Sequence, residues 1–213
     1  MISIKKFVFN LFAENTYLIW DDLTFDAAII DPGCSTQLEK ETLSDFIELN
    51  GIKLRYLFNT HCHIDHILGN RFVYEKFNPQ FYAPEKDLFL LDLMKEVAAG
   101  YGMEFEESPK PDFYIDEKLD LQVGNSKLKF IFTPGHTPGE FSIYLPDEKI
   151  CFTGDVLFQE SIGRTDLWGG NYNQLIESIK SGLLTLPEDV IIYPGHGESS
   201  TIGREKEINP FLI

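Results

Sequence analysis

Thiol chemistry is nearly missing from this chain, which has three cysteines, Cys34, Cys62 and Cys151, among 213 residues and no CxxC spacing. An odd, scattered set excludes a disulfide framework and a thiolate zinc site, and leaves small buried side chains as the expectation for all three. Basic residues are also scarce. Eighteen Lys+Arg stand against 34 Asp+Glu, a formal net charge of −16, which repels a polyphosphate backbone and argues against nucleic acid as a partner. No run approaches the roughly 20 apolar residues that span a bilayer, so no membrane partner is expected. Lys5-Lys6 and the apolar stretch behind it look superficially like a secretory leader. Asn10 interrupts that stretch, Glu14 closes it and no A-x-A-like pattern follows, so a cytoplasmic setting is the expectation. Low-complexity tracts, internal repeats and linker-like segments are missing as well, and residues 1–213 read as one domain.

What is present is a globular composition, 43% hydrophobic and 14% aromatic, enough for a packed core. Runs at 2–9, 16–20 and 26–31 are rich in β-branched and aromatic residues and are separated by polar turns, which predicts a β-meander. Asp31-Pro32-Gly33 ends the third run. A helix over 36–50 follows, opened by the capping box Thr36-x-x-Glu39 and closed by Asn50-Gly51. Further strands are expected at 54–58, 80–83, 117–123, 127–132, 141–145, 149–153 and 189–193. Helices are expected at 66–77, 85–100, 171–181 and 202–207, and 101–115, with Pro109 and Pro111, reads as irregular. Two β-rich halves, each followed by helices, suit two sheets packed face to face with helices outside.

Histidine is confined to three short motifs: Thr60-His61-Cys62-His63-Ile64-Asp65-His66, Gly135-His136-Thr137 and Gly195-His196-Gly197. A lone acidic motif, Gly154-Asp155, falls between the last two. Each motif follows a predicted strand, where a rigid scaffold feeds a solvent-reaching loop. His61 and His63 alternate as in extended chain and project to one side, whereas Cys62 points to the other. Asp65 and His66 open the next helix, where Asp65 read alone would be an N-cap. Five imidazoles and two carboxylates suit a pair of divalent cations. A donor set of nitrogen and oxygen without thiolate fits zinc first, and also iron or manganese. The expectation is an enzyme that hydrolyses its substrate with cation-activated water.

His61-x-His63-x-Asp65-His66, with His136, Asp155 and His196, resembles the signature of the metallo-β-lactamase superfamily over nearly the whole chain. Thr133-Pro-Gly-His-Thr-Pro-Gly139, Phe152-Thr-Gly-Asp155, Gly163-Arg-Thr-Asp166 and Tyr193-Pro-Gly-His-Gly197 are similar to its glyoxalase II (hydroxyacylglutathione hydrolase) branch, especially the short bacterial type. The resemblance implies an α+β fold, a four-layer αββα sandwich of two mixed sheets with a dinuclear site on one edge. It implies that His61, His63 and His136 hold one metal, that Asp65, His66 and His196 hold the other, and that Asp155 bridges them. Asp65 and Asp155 would be the catalytic carboxylates. Arg164 would hold a substrate carboxylate, the alternative being a surface ion pair with Asp166. The implied substrate is a small-molecule thioester, S-D-lactoylglutathione or a related acyl-thiol. Only residues 197–213 follow the last histidine, so the C-terminal helical domain of classical glyoxalase II enzymes is expected to be missing, with looser selection of the glutathione portion.

Four competitors share some of these features. A persulfide dioxygenase has the same fold and an Arg-Thr-Asp stretch like residues 164–166, but uses one iron; Pro194-Gly-His-Gly197 favours the hydrolase. A lactonase uses the same ligand set. A nuclease is opposed by the charge, and a metal-binding module would turn nothing over. Metallo-β-lactamases proper commonly carry cysteine where Asp155 stands, which argues against antibiotic hydrolysis.

Overall fold

Successive residues of a strand face opposite sides of its sheet, and in this chain both sides are apolar. The computed structural model describes residues 1–103 and 105–213. β1 (Ile2–Phe9), β2 (Glu14–Asp21) and β3 (Asp26–Ile30) form the expected antiparallel meander. β4 (Lys53–Phe58), β5 (Gln80–Ala83) and β6 (Phe113–Tyr114) extend it in parallel, giving a six-stranded sheet in the order β1 to β6.

The second half supplies β7 (Leu121–Val123), β8 (Ser126–Phe132), β9 (Phe141–Leu145) and β10 (Ile150–Gly154). A small hairpin, β11 (Leu157–Phe158) with β12 (Ser161–Ile162), stands apart. β13 (Ile191–Pro194) pairs parallel to β10, and β14 (Ser200–Thr201) closes a second six-stranded sheet.

Three apolar layers fix how the sheets stack. Leu18, Ala27, Ile29 and Leu57 point away from the second sheet, toward α1 (Gln37–Leu49), the one-turn α2 (Ile64–Ile67), α3 (Asn70–Phe77) and α4 (Leu88–Gly100). Their neighbours Tyr17, Ile19, Ala28, Ile30 and Phe58 meet Phe130, Ile143 and Phe152 between the sheets. Cys151 and Ile192, on the far side of the second sheet, meet Leu175 of α5 (Tyr172–Glu177) and Ile202 of α6 (Ile202–Ile208). The result is the αββα sandwich, an α+β fold. All three cysteines are buried thiols. No helix among the described residues is long and apolar enough to cross a membrane.

Several expected boundaries shift. The capping box forms as read, with Thr36 and Glu39 each closing on the other's backbone. The single helix expected over 66–77 is instead α2 and α3, broken at Gly69. A side chain there would strike Cys34 Sγ and the Pro32 carbonyl, so this turn packs against the loop after β3. The helix expected over 171–181 ends early as α5 and passes into a wider turn over Ser178–Gly182. The run at 117–123 pairs only from Leu121. Part of the irregular 101–115 stretch becomes β6, and Glu104 lies outside the described residues. β6, β11, β12 and β14 are two residues each, too short to leave a periodic trace in sequence.

Candidate metal centre

Four loops meet at one edge of the sandwich: those after β4, β8, β10 and β13, carrying His61 to His66, His136, Asp155 and His196. His61 and His63 do project to the same side, and Cys62 is packed into the outer core. Asp65 and His66 lie in α2, whose N-cap is His63, so Asp65 does not cap it.

The donor atoms form three groups, of which one, Asp31, His61 and His66, overlaps the other two. Ligating atoms of His61, His63 and His136 lie within 4.8 Å of one another, and so do those of Asp65, His66 and His196. Asp155 sits between the latter two groups. Its Oδ2 is 3.6 Å from His136 Nε2 and 3.6 Å from His196 Nε2, and its Oδ1 is 3.5 Å from His66 Nε2. Asp65 Oδ2 is 3.1 Å from His196 Nε2. The backbone demands this closeness, since a Cβ on Gly195 would collide with Asp155 Oδ1 and His66 Cε1.

Neighbouring groups set the tautomers. His136 Nδ1 is 2.7 Å from the Arg164 carbonyl, which can only accept, so Nδ1 carries the proton and Nε2 accepts from His63 Nδ1 at 2.8 Å, which leaves His63 Nε2 as the unpartnered nitrogen of that pair. Thr60 Oγ1 donates to Asp31 Oδ2 at 2.6 Å and lies 3.1 Å from His61 Nδ1. Having spent its proton, that hydroxyl accepts from His61 Nδ1, leaving Nε2 free. Glu140, fully buried, accepts from the Asp155 amide at 2.7 Å and lies 3.4 Å from His61 Nδ1.

Electrostatics separates the two groups. Burial holds His61 well below the usual histidine range, brings His63 down to about 3 and lowers His136, so all three are neutral imidazoles. Burial opposes charge on His66 as well, but Asp65 and Asp155 outweigh it and raise its pKa well above normal. His196 is raised despite its burial, chiefly by the bond to Asp65. Both aspartates are held low, because His66 more than offsets their burial. The second group is therefore ionic, with protons standing where a cation could be.

The donor set fits divalent metal. His61 Nε2, His66 Nε2 and Asp155 Oδ1 are buried without a hydrogen-bond partner, each an expense of roughly 1–3 kcal/mol if left so. These atoms, lone-pair donors once His66 gives up its proton, suit a cation.

A set of supporting residues escaped the sequence reading. Asp31, read as a turn residue, adopts φ +51° and turns its buried carboxylate onto the Thr60 amide and hydroxyl. Its Oδ2 also comes within 3.1 Å of His66 Nδ1, too poorly aligned for a hydrogen bond. Asn15 and Tyr17 of β2 donate to the Pro194 carbonyl, tying the His196 loop to the other sheet. Buried Asp87 accepts from the Thr137 hydroxyl and the Gly139 amide, both at 2.6 Å. None has a local signature; each is recognisable only by what it touches. Arg164 contributes its carbonyl to the centre, while its guanidinium makes a two-pronged pair with Asp166 at 2.7 and 2.8 Å.

A family model described as Metallo-beta-lactamase superfamily matches residues 10–196. The chain belongs to the metallo-beta-lactamase superfamily. Among its relatives, hydroxyacylglutathione hydrolase GloC of Haemophilus influenzae is 40% identical, over 99% of this chain and 98% of that protein. The crystal structure of BLEG-1, a B3 metallo-beta-lactamase, superposes with a TM-score of 0.90 at 33% identity, covering 99% of each chain. TTHA1623, solved in a di-iron-bound form, gives 0.87 at 31% identity, covering 98% of this chain and 100% of that one. The superfamily resemblance read from the motifs is thus confirmed, and with it the class of metallo-hydrolases.

Proposed function

We propose that this protein is a dinuclear metal hydrolase of thioesters, acting on S-D-lactoylglutathione or related acyl-thiols in the cytoplasm. The observation that carries the proposal is Asp155, whose two oxygens reach histidines of both donor groups at 3.5–3.6 Å. In this reading His61, His63 and His136 hold one cation, Asp65, His66 and His196 hold the other, and Asp155 joins them. Zinc fits the donors, and the di-iron form of TTHA1623 keeps iron alongside it. Bound cations supply Lewis acidity, acidifying water and polarising a carbonyl.

The chain's own groups supply the rest. Asp65, ionised and facing the cavity, would steer the attacking water besides holding a cation. His61, His63 and His136 are neutral, so a cation there would displace the His63–His136 hydrogen bond but release no net proton. A thiol leaves readily, with a free pKa near 8.5, so no strong acid is needed beside it. Arg164 lines the cavity, and a substrate carboxylate would have to share its guanidinium with Asp166. The relation to GloC supports the thioester over the other substrates of the superfamily.

Metal content should be measured together with turnover of S-D-lactoylglutathione, a simple thioester, a lactone and a β-lactam, the last because BLEG-1 is so similar. Two metals per chain and thioester turnover at least tenfold above the rest is the expected result. One iron with thiol-dependent oxygen uptake would replace this reading with a dioxygenase, and two metals with no turnover would leave a binding module.

A further inference from the structure

The cavity over the donor groups continues away from them. It encloses about 530 Å³, and a second hollow of about 440 Å³ shares Val97, Tyr101 and Trp168 with it. Its long wall is α4. That helix buries Leu90, Met94 and Ala98 in the outer core, with Met94 also reaching the main cavity, and the neighbouring stripe Leu93, Val97 and Tyr101, spaced i, i+4, i+8, borders the hollows. Tyr101 is 59% exposed and Trp168 on the facing segment 43%. Trp168 also stands edge-on to His63, 6.5 Å between ring centres, so the trough begins at the donor cluster.

Cationic side chains are sparse along this route, where Glu96 adds an acid to the second hollow. Among the described residues lining both hollows, Arg164 is the one Lys or Arg, and Asp166 already occupies it. A glutathione conjugate brings two carboxylates and an ammonium to a molecule of net charge −16, so its peptide finds few partners and a repelling field. Adjacent apolar and aromatic side chains leading out of a polar centre are what an apolar ligand group needs.

We propose that this trough seats an apolar chain, so that the preferred substrates are thioesters bearing a medium-length alkyl or aryl group. This rests on the thioester reading above and narrows it. The stripe from Leu93 to Tyr101 runs roughly 12 Å along the helix, room for about eight carbons. The chain belongs to either the acyl or the thiol half, and the two are separable by experiment.

The test uses the metal-loaded protein and the acetyl, butanoyl and octanoyl thioesters of N-acetylcysteamine. S-octyl thioacetate serves as the reversed arm and S-D-lactoylglutathione as reference. For the half that enters the trough, kcat/KM should rise roughly two- to fourfold per added methylene, and the octyl compound should exceed S-D-lactoylglutathione. Tyr101→Asp and Leu93→Gln, checked by circular dichroism, should flatten that rise. A flat series in the wild-type protein, or preference for S-D-lactoylglutathione over every alkyl thioester, overturns the inference and leaves thioester hydrolysis standing. If no thioester is turned over, the activity falls, and binding of the thioether N-acetyl-S-octylcysteamine, followed by tryptophan fluorescence, decides the trough. Binding weakened tenfold by Tyr101→Asp supports it; no binding overturns it.

Discussion

At the scale of single residues, the centre divides into a neutral half and an ionic half, and the division has measurable consequences. His61, His63 and His136 are neutral, each with one unprotonated ring nitrogen, whereas His66, raised by Asp65 and Asp155, is protonated near neutral pH. A metal entering beside His66 must displace a proton; one entering among the three histidines need not. Calorimetric zinc titrations of the metal-free protein, in buffers of different ionisation heat, should show a first uptake with little proton release. A second uptake should release protons from His66 and His196 and tighten as pH rises from 6 to 8. Equal proton release in both steps would contradict the division. Asp155 joins the halves, so Asp155→Ala should cost at least about a hundredfold in kcat while leaving the circular dichroism spectrum intact. Full activity with both metals bound would reject its joining role. His61, His63, Asp65, His66, His136, Asp155 and His196 were all legible as a set, because histidine occurs nowhere else in the chain. Asp31 and Glu140 were not, since an isolated acid beside a strand looks the same whether it faces solvent or an imidazole.

At the scale of elements, short connections carry the centre, and the long elements hold them. Asp87 illustrates the dependence. It occupies the N-cap position of α4 but makes no side-chain bond to that helix, and instead holds Thr137 and Gly139, which flank the His136 loop on the other sheet. Burial pushes its carboxyl up to about 6, against the pull of its donors. The folded protein therefore binds this proton more tightly than the unfolded chain. The resulting contribution to stability is full below pH 4 and is lost as pH rises through 6. Asp87→Asn should remove that slope from urea midpoints measured between pH 4 and 6.5. Asp87→Ala should destabilise by roughly 2–4 kcal/mol at any pH, through the stranded hydroxyl and amide. Strands of five or more residues and the capped α1 were readable from periodicity and end signals. The break between α2 and α3 was not, because Gly69 is tolerable within a helix until the loop after β3 is placed against it.

At the scale of the molecule, three apolar layers are continuous with the two sheets that share them, and the site lies across both sheets. Urea unfolding should accordingly show one transition, coincident by tryptophan fluorescence and far-ultraviolet dichroism. Two separated transitions would divide the chain into independent units. The sequence by itself determined the candidate donor types, their grouping in short motifs, the strand ends that bear them and the superfamily, since these are properties of spacing and chemical identity along one chain. Tertiary structure alone decided that Asp155 reaches both donor groups, that Asp31, Glu140 and Asp87 face inward, that Arg164 is held by Asp166 and that α4 turns an apolar stripe toward the cavity. Those facts depend on which loops meet at the sandwich edge, and that meeting is set by the packing of distant residues, which leaves no local pattern to read.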